Sequence, residues 1–268
     1  MREILEKLLA GELSLEEAER LLRVNVVEEI GEAALDIRRE FRAGIPEVVL
    51  GEGKEPSQVV DIISAFLKGE GRAIVSRVSQ EQVKAIKESF LNGCKVEVNE
   101  RARIVIVCKR GFRKPDLGRK IGVMTGGTAD IAIAEEARVI AEEMGCRVIT
   151  AYDVGIAGFH RHIQPLRRML EEGVDAIVVV AGMEGALPSV IASLVDIPVI
   201  GVPTSTGYGF GGGGMGALTG MLQSCAPGRS VVNINNGLGA GAFAALIAKR
   251  VAEALKAARG QGDENRLL

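Results

Sequence analysis

The sequence predicts an α/β protein: a three-layer αβα arrangement around a parallel sheet in the C-terminal half, preceded by a smaller α/β domain. Three observations lead there. From residue 121 onward, short and nearly unbroken apolar runs (121–125, 176–181, 199–202) alternate with stretches whose apolar residues recur every three to four positions. Strands covered on both faces read as such runs, and their alternation with helices is the pattern of parallel crossover units. The 34 glycines are unevenly spread and gather in the loops of this half. Finally, 47% apolar and 25% charged residues over 268 positions suffice for one large core or two modest ones.

Residues 1–23 read as a helical segment. Ser14 with Glu17 three residues on forms a capping box, and Ala18, Leu21 and Leu22 follow on one face. The small α/β domain is expected over 24–116. Leu35 and Ile37 alternate with Asp36 and Arg38 as a half-buried strand, and 47–50 is a second strand. Residues 56–67 place Val59, Ile62, Ile63 and Phe66 at helical spacing. Residues 73–78 return to strand, Ser79 and Gln82 cap a helix continued by Val83, Ile86 and Phe90, and 103–108 is strand. The basic, proline-containing stretch 109–120 marks the boundary.

The C-terminal domain is expected over 117–258. It runs strand 121–125, helix 128–144, strand 147–151, helix 164–170 and strand 176–181. Helix 187–194, strand 199–202, helix 215–222, strand 230–234 and a helix to about residue 258 complete it, and 259–268 is a polar tail.

Composition excludes several function classes. Lys plus Arg is 33 against 35 Asp plus Glu, so there is no basic excess to neutralise a nucleic acid, and aromatic residues at 3% leave few stacking platforms. No apolar run reaches the roughly 18 residues of a membrane span. The four cysteines form no CxxC pair and no secretory signal opens the sequence, so a reducing, cytoplasmic setting is expected. His160 and His162 lack the partners of a zinc site.

In parallel sheets, ligands bind beyond the carboxyl ends of the strands. The first such loop holds Gly126, Gly127, Thr128 and Asp130, where free N–H groups at a helix start attract anions and Asp130 is either a cap or a ligand contact. The second holds Asp153, His160 and Arg161, read either as phosphate-holding groups or as a solvated His-Arg-His face. The third holds Gly182, Met183, Glu184 and Pro188; a glutamate among hydrophobic neighbours serves as acid or base, unless it is a cap. The fourth, with Thr204, Ser205 and Tyr208 before a run of four glycines, reads as a lid or backbone cradle, or else a linker. Asn235 follows the fifth strand. Cys225, in QSCAPG (223–228), is on spacing alone a buried, inert cysteine. The run from Gly237 to Ala242 loosely matches a dinucleotide fingerprint but has no following strand, and is read as tight helix–sheet packing.

The motifs GGTAD (126–130), AYDVG (151–155), AGMEGALPSVIASLVDIPVIGVPTS (181–205) and VVNINNG (231–237) resemble the aminoimidazole-ribonucleotide carboxylase domain of purine synthesis, a flavodoxin-like fold. Together with DIRREFRAGIPEVVLGEGK (36–54), they resemble more closely the pyridinium-3,5-biscarboxylic acid mononucleotide synthase family, which begins assembly of the nickel-pincer cofactor of lactate racemase. The purine enzymes place a proton-carrying histidine just before Leu-Pro in the third loop. Here that position is Ala186, with Glu184 two residues earlier, the form of the synthases.

The resemblance implies an enzyme that carboxylates the pyridinium ring of nicotinic acid adenine dinucleotide at C5 and cleaves the diphosphate, releasing AMP. It makes Cys225 the nucleophile and Glu184 the acid/base group, with the glycine loops holding phosphate, ribose and the new carboxylate. Arg38 and Arg42 would reach the diphosphate if the N-terminal unit closes over the site; otherwise they are ordinary exposed strand arginines. No tightly bound cofactor is implied; Mg²⁺ would serve the diphosphate, and carbon dioxide or bicarbonate is the co-substrate. A homo-oligomer, octamer or tetramer, is expected, with no nucleic-acid or membrane partner. The alternatives are the purine carboxylase or mutase itself and a non-catalytic nucleotide-binding module, which would have no use for Cys225 or Glu184.

Overall fold

The computed structural model describes residues 2–23, 28–30, 33–36 and 39–264. The chain separates into two compact units, Met1–Phe112 and Arg113–Leu268.

The N-terminal unit opens with helices α1 (Arg2–Leu9) and α2 (Leu15–Arg23), the second started by the expected capping box: Ser14 Oγ accepts the Glu17 N–H at 3.1 Å, and Glu17 accepts the Ser14 N–H at 3.0 Å. An antiparallel pair, β1 (Glu28–Ile30) and β2 (Ala33–Leu35), leads to the short helix α3 (Arg39–Ala43). Of the expected strand over 35–38, Leu35 ends β2 and Asp36 lies beyond it; positions 37 and 38 lie outside the described residues.

Then follow β3 (Val48–Leu50), α4 (Pro56–Gly69), β4 (Arg72–Ser76), α5 (Gln80–Phe90), β5 (Cys94–Asn99) and β6 (Ile104–Lys109). The sheet order is β3-β4-β6-β5, with β3 and β4 parallel and the other pairs antiparallel. Val59, Ile63 and Phe66 of α4 and Ile86 of α5 pack on Val75, Val105 and Val107, all at most 2% exposed; burying each larger side chain contributes about 1.5–3 kcal/mol. Strand β5 is an addition to the expected elements.

The C-terminal unit contains β7 (Arg119–Thr125), α6 (Ile131–Glu143), β8 (Cys146–Ala151), α7 (Ile163–Glu171), β9 (Ile177–Ala181), α8 (Leu187–Ala192), β10 (Val199–Pro203), α9 (Met215–Gln223), β11 (Arg229–Val231) and α10 (Gly237–Glu264). The five strands are all parallel in the order β8-β7-β9-β10-β11, which is the flavodoxin-like arrangement expected from the sequence. Helices α6 and α10 cover one face; α7, α8 and α9 cover the other, over a core including Met169, Ile177, Val179, Ile191 and Met221. Strands β9 and β10 are buried along their whole length, the reason they read as continuous apolar runs.

Local differences have local causes. Residues 128–130 form a 3₁₀ turn ahead of α6, closed by the Asp130 side chain on the Gly127 N–H. Strand β11 ends at Val231, before the expected 234, where the Asn233 side chain accepts the Ile234 N–H at 2.8 Å. Helix α10 continues to Glu264, past the expected end near 258. Its glycines also pack differently from the expectation: a Cβ at Gly237 would stand 2.1 Å from the Ile133 carbonyl and one at Gly241 2.3 Å from that of Ala137. The close packing is of helix α10 on helix α6. Among the described residues, no helix is long and apolar enough to cross a membrane.

Candidate active site

The strand order reverses between β7 and β9, and at that switch point the carboxyl-end loops diverge enough to admit a ligand. A cavity of about 330 Å³ lies there. The loop after β7 supplies Gly126, Gly127 and Asp130; the loop after β8 supplies Gly155, Ile156, Ala157 and Arg161. Ala181 ends β9; Gly182, Met183, Glu184, Ala186 and Leu187 follow it, and Thr206 follows β10.

Asp130 anchors the floor. It is 3% exposed, and its two oxygens accept the Thr204 hydroxyl at 2.6 Å and the Gly127 N–H at 2.9 Å. It is thus both the cap and a wall of the cavity, and Thr204 is its buried partner. In the second loop, Arg161 donates from Nη1 to the Asp153 carbonyl at 3.1 Å and to its carboxylate at 3.2 Å, which fixes the cation at the cavity edge. In the third, Met183 donates its N–H to the Thr206 carbonyl at 2.8 Å. Only glycine fits beside that contact, because a Cβ at 182 would come 2.3 Å from the same oxygen. The Glu184 side chain is exposed, with no partner among the described residues. Burial among hydrophobic neighbours, expected for it from the sequence, is absent in the single chain.

Among the described residues of this unit, three that are not glycine have left-handed backbone, Asp153 (φ 57°), Met183 (φ 52°) and Asn235 (φ 56°), and all three are in carboxyl-end loops. Such conformations persist only where neighbouring bonds hold them. Here the Asp153 N–H donates to Thr125 Oγ1 at 2.9 Å, and the Asn235 N–H donates to the Pro203 carbonyl at 2.9 Å.

Of the residues expected at the site, Gly126, Gly127, Asp130, Arg161, Gly182, Met183 and Glu184 line this cavity. The others are placed around it or away from it. Ser205 and Asn235 bond each other twice, at 2.9 Å each. Pro188 is buried in α8, Thr128 and His160 are exposed, and Tyr208 is 83% exposed on the glycine-rich segment. The solvated His-Arg-His face is corrected: His160 and Arg161 face solvent, but His162 is fully buried against Phe159, and burial pushes its imidazole pKa down. Arg42 is in the N-terminal unit, paired with Asp36, and Arg38 lies outside the described residues.

Cys225 is exposed in the loop between α9 and β11, which enters the amino end of a strand, and it is not among the lining residues. Ala186, the position that the purine enzymes give to histidine, also lines it. The lining residues that sequence reasoning did not single out (Gly155, Ile156, Ala157, Ala181, Leu187, Thr206) are backbone or apolar wall. The carboxyl-end rule, applied to whole loops and not only to their polar residues, finds them.

The site therefore offers a glycine turn, one cation, one free carboxylate and an apolar wall of Ile156, Met183 and Leu187. That combination suits a flat ring bearing a phosphorylated sugar, with a group able to take a proton. Asp130 has both oxygens engaged, and the described residues contain no group of three or more His, Cys, Asp or Glu able to hold a metal ion.

Comparison with known proteins gives the same two parts. Residues 27–109 match the LarB/PurE-like N-terminal domain, and residues 120–264 match AIR carboxylase. An uncharacterized protein of Methanocaldococcus jannaschii is 47% identical over 252 residues, 93% of this chain and 97% of its own length. The N5-carboxyaminoimidazole ribonucleotide mutase of Thermotoga maritima is 31% identical over 135 residues, 48% of this chain and 74% of its own. That of M. jannaschii is 30% identical over 132 residues, 49% and 77% respectively. The chain belongs to the carboxylase/mutase family in which a LarB/PurE-like N-terminal domain precedes an AIR carboxylase domain.

Proposed function

We propose that the protein carboxylates the pyridinium ring of nicotinic acid adenine dinucleotide at C5 and hydrolyses its phosphoanhydride, giving pyridinium-3,5-biscarboxylic acid mononucleotide and AMP, the first step towards the nickel-pincer cofactor. The observation that carries this reading is the third loop's contribution to the cavity wall. Ala186 lines it where the purine-type enzymes have a proton-carrying histidine, and Glu184 lines it two residues earlier.

A pyridinium ring is electron-poor, and its C5 does not attack carbon dioxide. Addition of the Cys225 thiolate at C4 or C6 breaks the aromatic system and makes C5 an enamine-type carbon. C5 bonds to carbon dioxide, Glu184 takes the C5 proton, and the electron pair of the C–H bond restores the ring as the C–S bond breaks and thiolate leaves. Covalent addition divides one inaccessible step into accessible ones. Water then divides the phosphoanhydride between the mononucleotide and AMP. Arg161 and the Gly126–Gly127 turn bind the phosphate of the mononucleotide half.

Because Cys225 lies outside the cavity of its own chain, this reading has a second copy deliver the thiol, so the working form is a homo-oligomer. A reducing cytoplasm, which keeps thiols free, is the setting that goes with this reading.

The test is incubation with nicotinic acid adenine dinucleotide, bicarbonate and Mg²⁺, followed by chromatography and mass spectrometry. Equal amounts of AMP and the dicarboxylated mononucleotide are expected. No AMP, or turnover of aminoimidazole ribonucleotide in a parallel reaction, overturns the reading; the second result moves the chain to the reaction class of its mutase relatives.

A further inference from the structure

Arg229 opens strand β11, and its side chain turns back onto the end of helix α9. Nη1 donates to the Met221 carbonyl at 2.5 Å and Nη2 to the Ser224 carbonyl at 3.0 Å. The last carbonyls of a helix have no intrahelical partner, and this guanidinium supplies one. The Ser224 carbonyl belongs to the peptide group that joins Ser224 to Cys225, so the guanidinium sits one planar peptide from the thiol residue's Cα. On the other side, Ser224 Oγ accepts the Ala226 N–H at 3.2 Å, closing a turn around Cys225. The Gly228 carbonyl accepts the Val199 N–H at 3.1 Å and ties the far end of the loop to β10. The exposed thiol thus stands on a turn whose backbone is held at 221, 224, 226 and 228. Arg229 Nε is buried without a partner among the described residues, a cost borne while the fork keeps both carbonyls.

We propose that Arg229 is the positioning residue of the Cys225 thiol: its fork fixes the turn from which the sulfur attacks. The proposal rests on the reading of Cys225 as nucleophile. A planar fork spans two carbonyls, whereas an ammonium is a single point of attachment, so lysine should replace arginine only in part.

The experiment measures kcat and KM for nicotinic acid adenine dinucleotide in the full-length Arg229→Met, Arg229→Lys and Cys225→Ala proteins, normalised to the folded fraction from circular dichroism. Misplacement of a reacting group by about 1 Å costs up to about 10²-fold. On that scale, Arg229→Met should lose about 30–100-fold in kcat and Arg229→Lys about 3–10-fold, both with KM unchanged. Wild-type kcat in Arg229→Met overturns the proposal, as does a lysine variant no better than methionine. Should Arg229→Met fail to fold, the lysine variant decides alone: a reduced kcat at constant KM supports the proposal and a wild-type kcat overturns it. Cys225→Ala separates the two levels. If it still carboxylates the ring, the nucleophile reading fails and the proposal with it. If it is inactive while both Arg229 variants match wild type, only the positioning role fails.

Discussion

The carboxylate of Asp130 and the hydroxyl of Thr204, 2.6 Å apart and both buried, join the loop after β7 to the loop after β10 across the floor of the cavity. The bond closes the site from below, between strands that are not neighbours in the sheet. Thr204→Val keeps the side-chain shape and leaves one Asp130 oxygen without its donor. An unsatisfied buried acceptor costs about 1–3 kcal/mol. Urea unfolding should show a loss in that range, and KM for the dinucleotide should rise because the Gly126–Gly127 turn is less firmly held. A variant as stable as wild type would mean that the two loops are fixed by their backbone bonds alone.

Glu184→Gln keeps the shape of the cavity wall and removes a proton acceptor. General acid–base catalysis typically contributes about 10²–10⁴-fold, so carboxylation should fall by that factor with substrate affinity preserved. Isothermal titration calorimetry and product formation measured on the same sample check both halves. A near wild-type rate would assign the C5 proton to another group.

The N-terminal unit has a pH dependence of unusual sign. The Glu70 carboxyl is pushed up from 4.5 to about 7, first by burial and then by the negative charge of Glu40; Arg72 opposes the shift. The unfolded chain loses this proton near 4.5 and the folded chain near 7, so between those values the folded state binds more protons. Stability contributed by Glu70 is therefore fully present below about pH 4.5 and is lost as pH rises through 7. For a half-buried carboxyl screened by solvent, the expected change is about 1–2 kcal/mol. Glu70→Gln should be more stable than wild type at pH 8 and should lack this slope in unfolding experiments between pH 5 and 7.

The parallel sheet was legible because its strands are buried on both faces: Ile177, Val178, Val179 and Val180 admit no other reading once helical stretches flank them. The carboxyl-end rule then led to the cavity. Strand β5 is weakly marked in the sequence although Cys94, Val96 and Val98 alternate with Lys95 and Glu97, because it is an edge strand and mostly half-buried. The cap that Asp130 makes on Gly127 was legible, but its bond to Thr204 and the bonds of Arg229 to the Met221 and Ser224 carbonyls were not, since only the folded chain creates their proximity. The burial of His162 is hidden for the same reason: His160 and Arg161 beside it are solvated, and only the folded chain encloses its ring.

The position of Cys225 leads to the sharpest prediction. Its thiol is exposed on the loop that enters β11, whereas Glu184 lines the cavity at the opposite ends of the strands. If the ring is attacked by the thiol of a second copy, Cys225→Ala and Glu184→Gln damage different halves of one composite site. Each should be inactive alone. Because Cys225 is a surface residue, its loss should change stability by no more than about 0.5 kcal/mol, so inactivity reports chemistry and not misfolding. Cys225→Ser should be nearly as inactive, a hydroxyl being far less acidic than a thiol. Co-expressing the two variants allows a Glu184 chain to meet a Cys225 chain, and random assortment in a symmetric oligomer should restore about a quarter of wild-type activity. The remaining thiols serve as controls. Cys94 and Cys108 belong to the N-terminal sheet, and Cys146 is buried at the amino end of β8, its thiol pushed up to about 11 by burial, so alanine at each should leave the rate unchanged. Light scattering of the wild type supplies the other limit: a single species of monomer mass at micromolar concentration, still active, would exclude delivery of the thiol by a neighbour. Activity restored in the mixture, with none in either variant alone, is the expected result; a mixture as inactive as its components would return Cys225 and Glu184 to one chain and require its own loop to close over the ring.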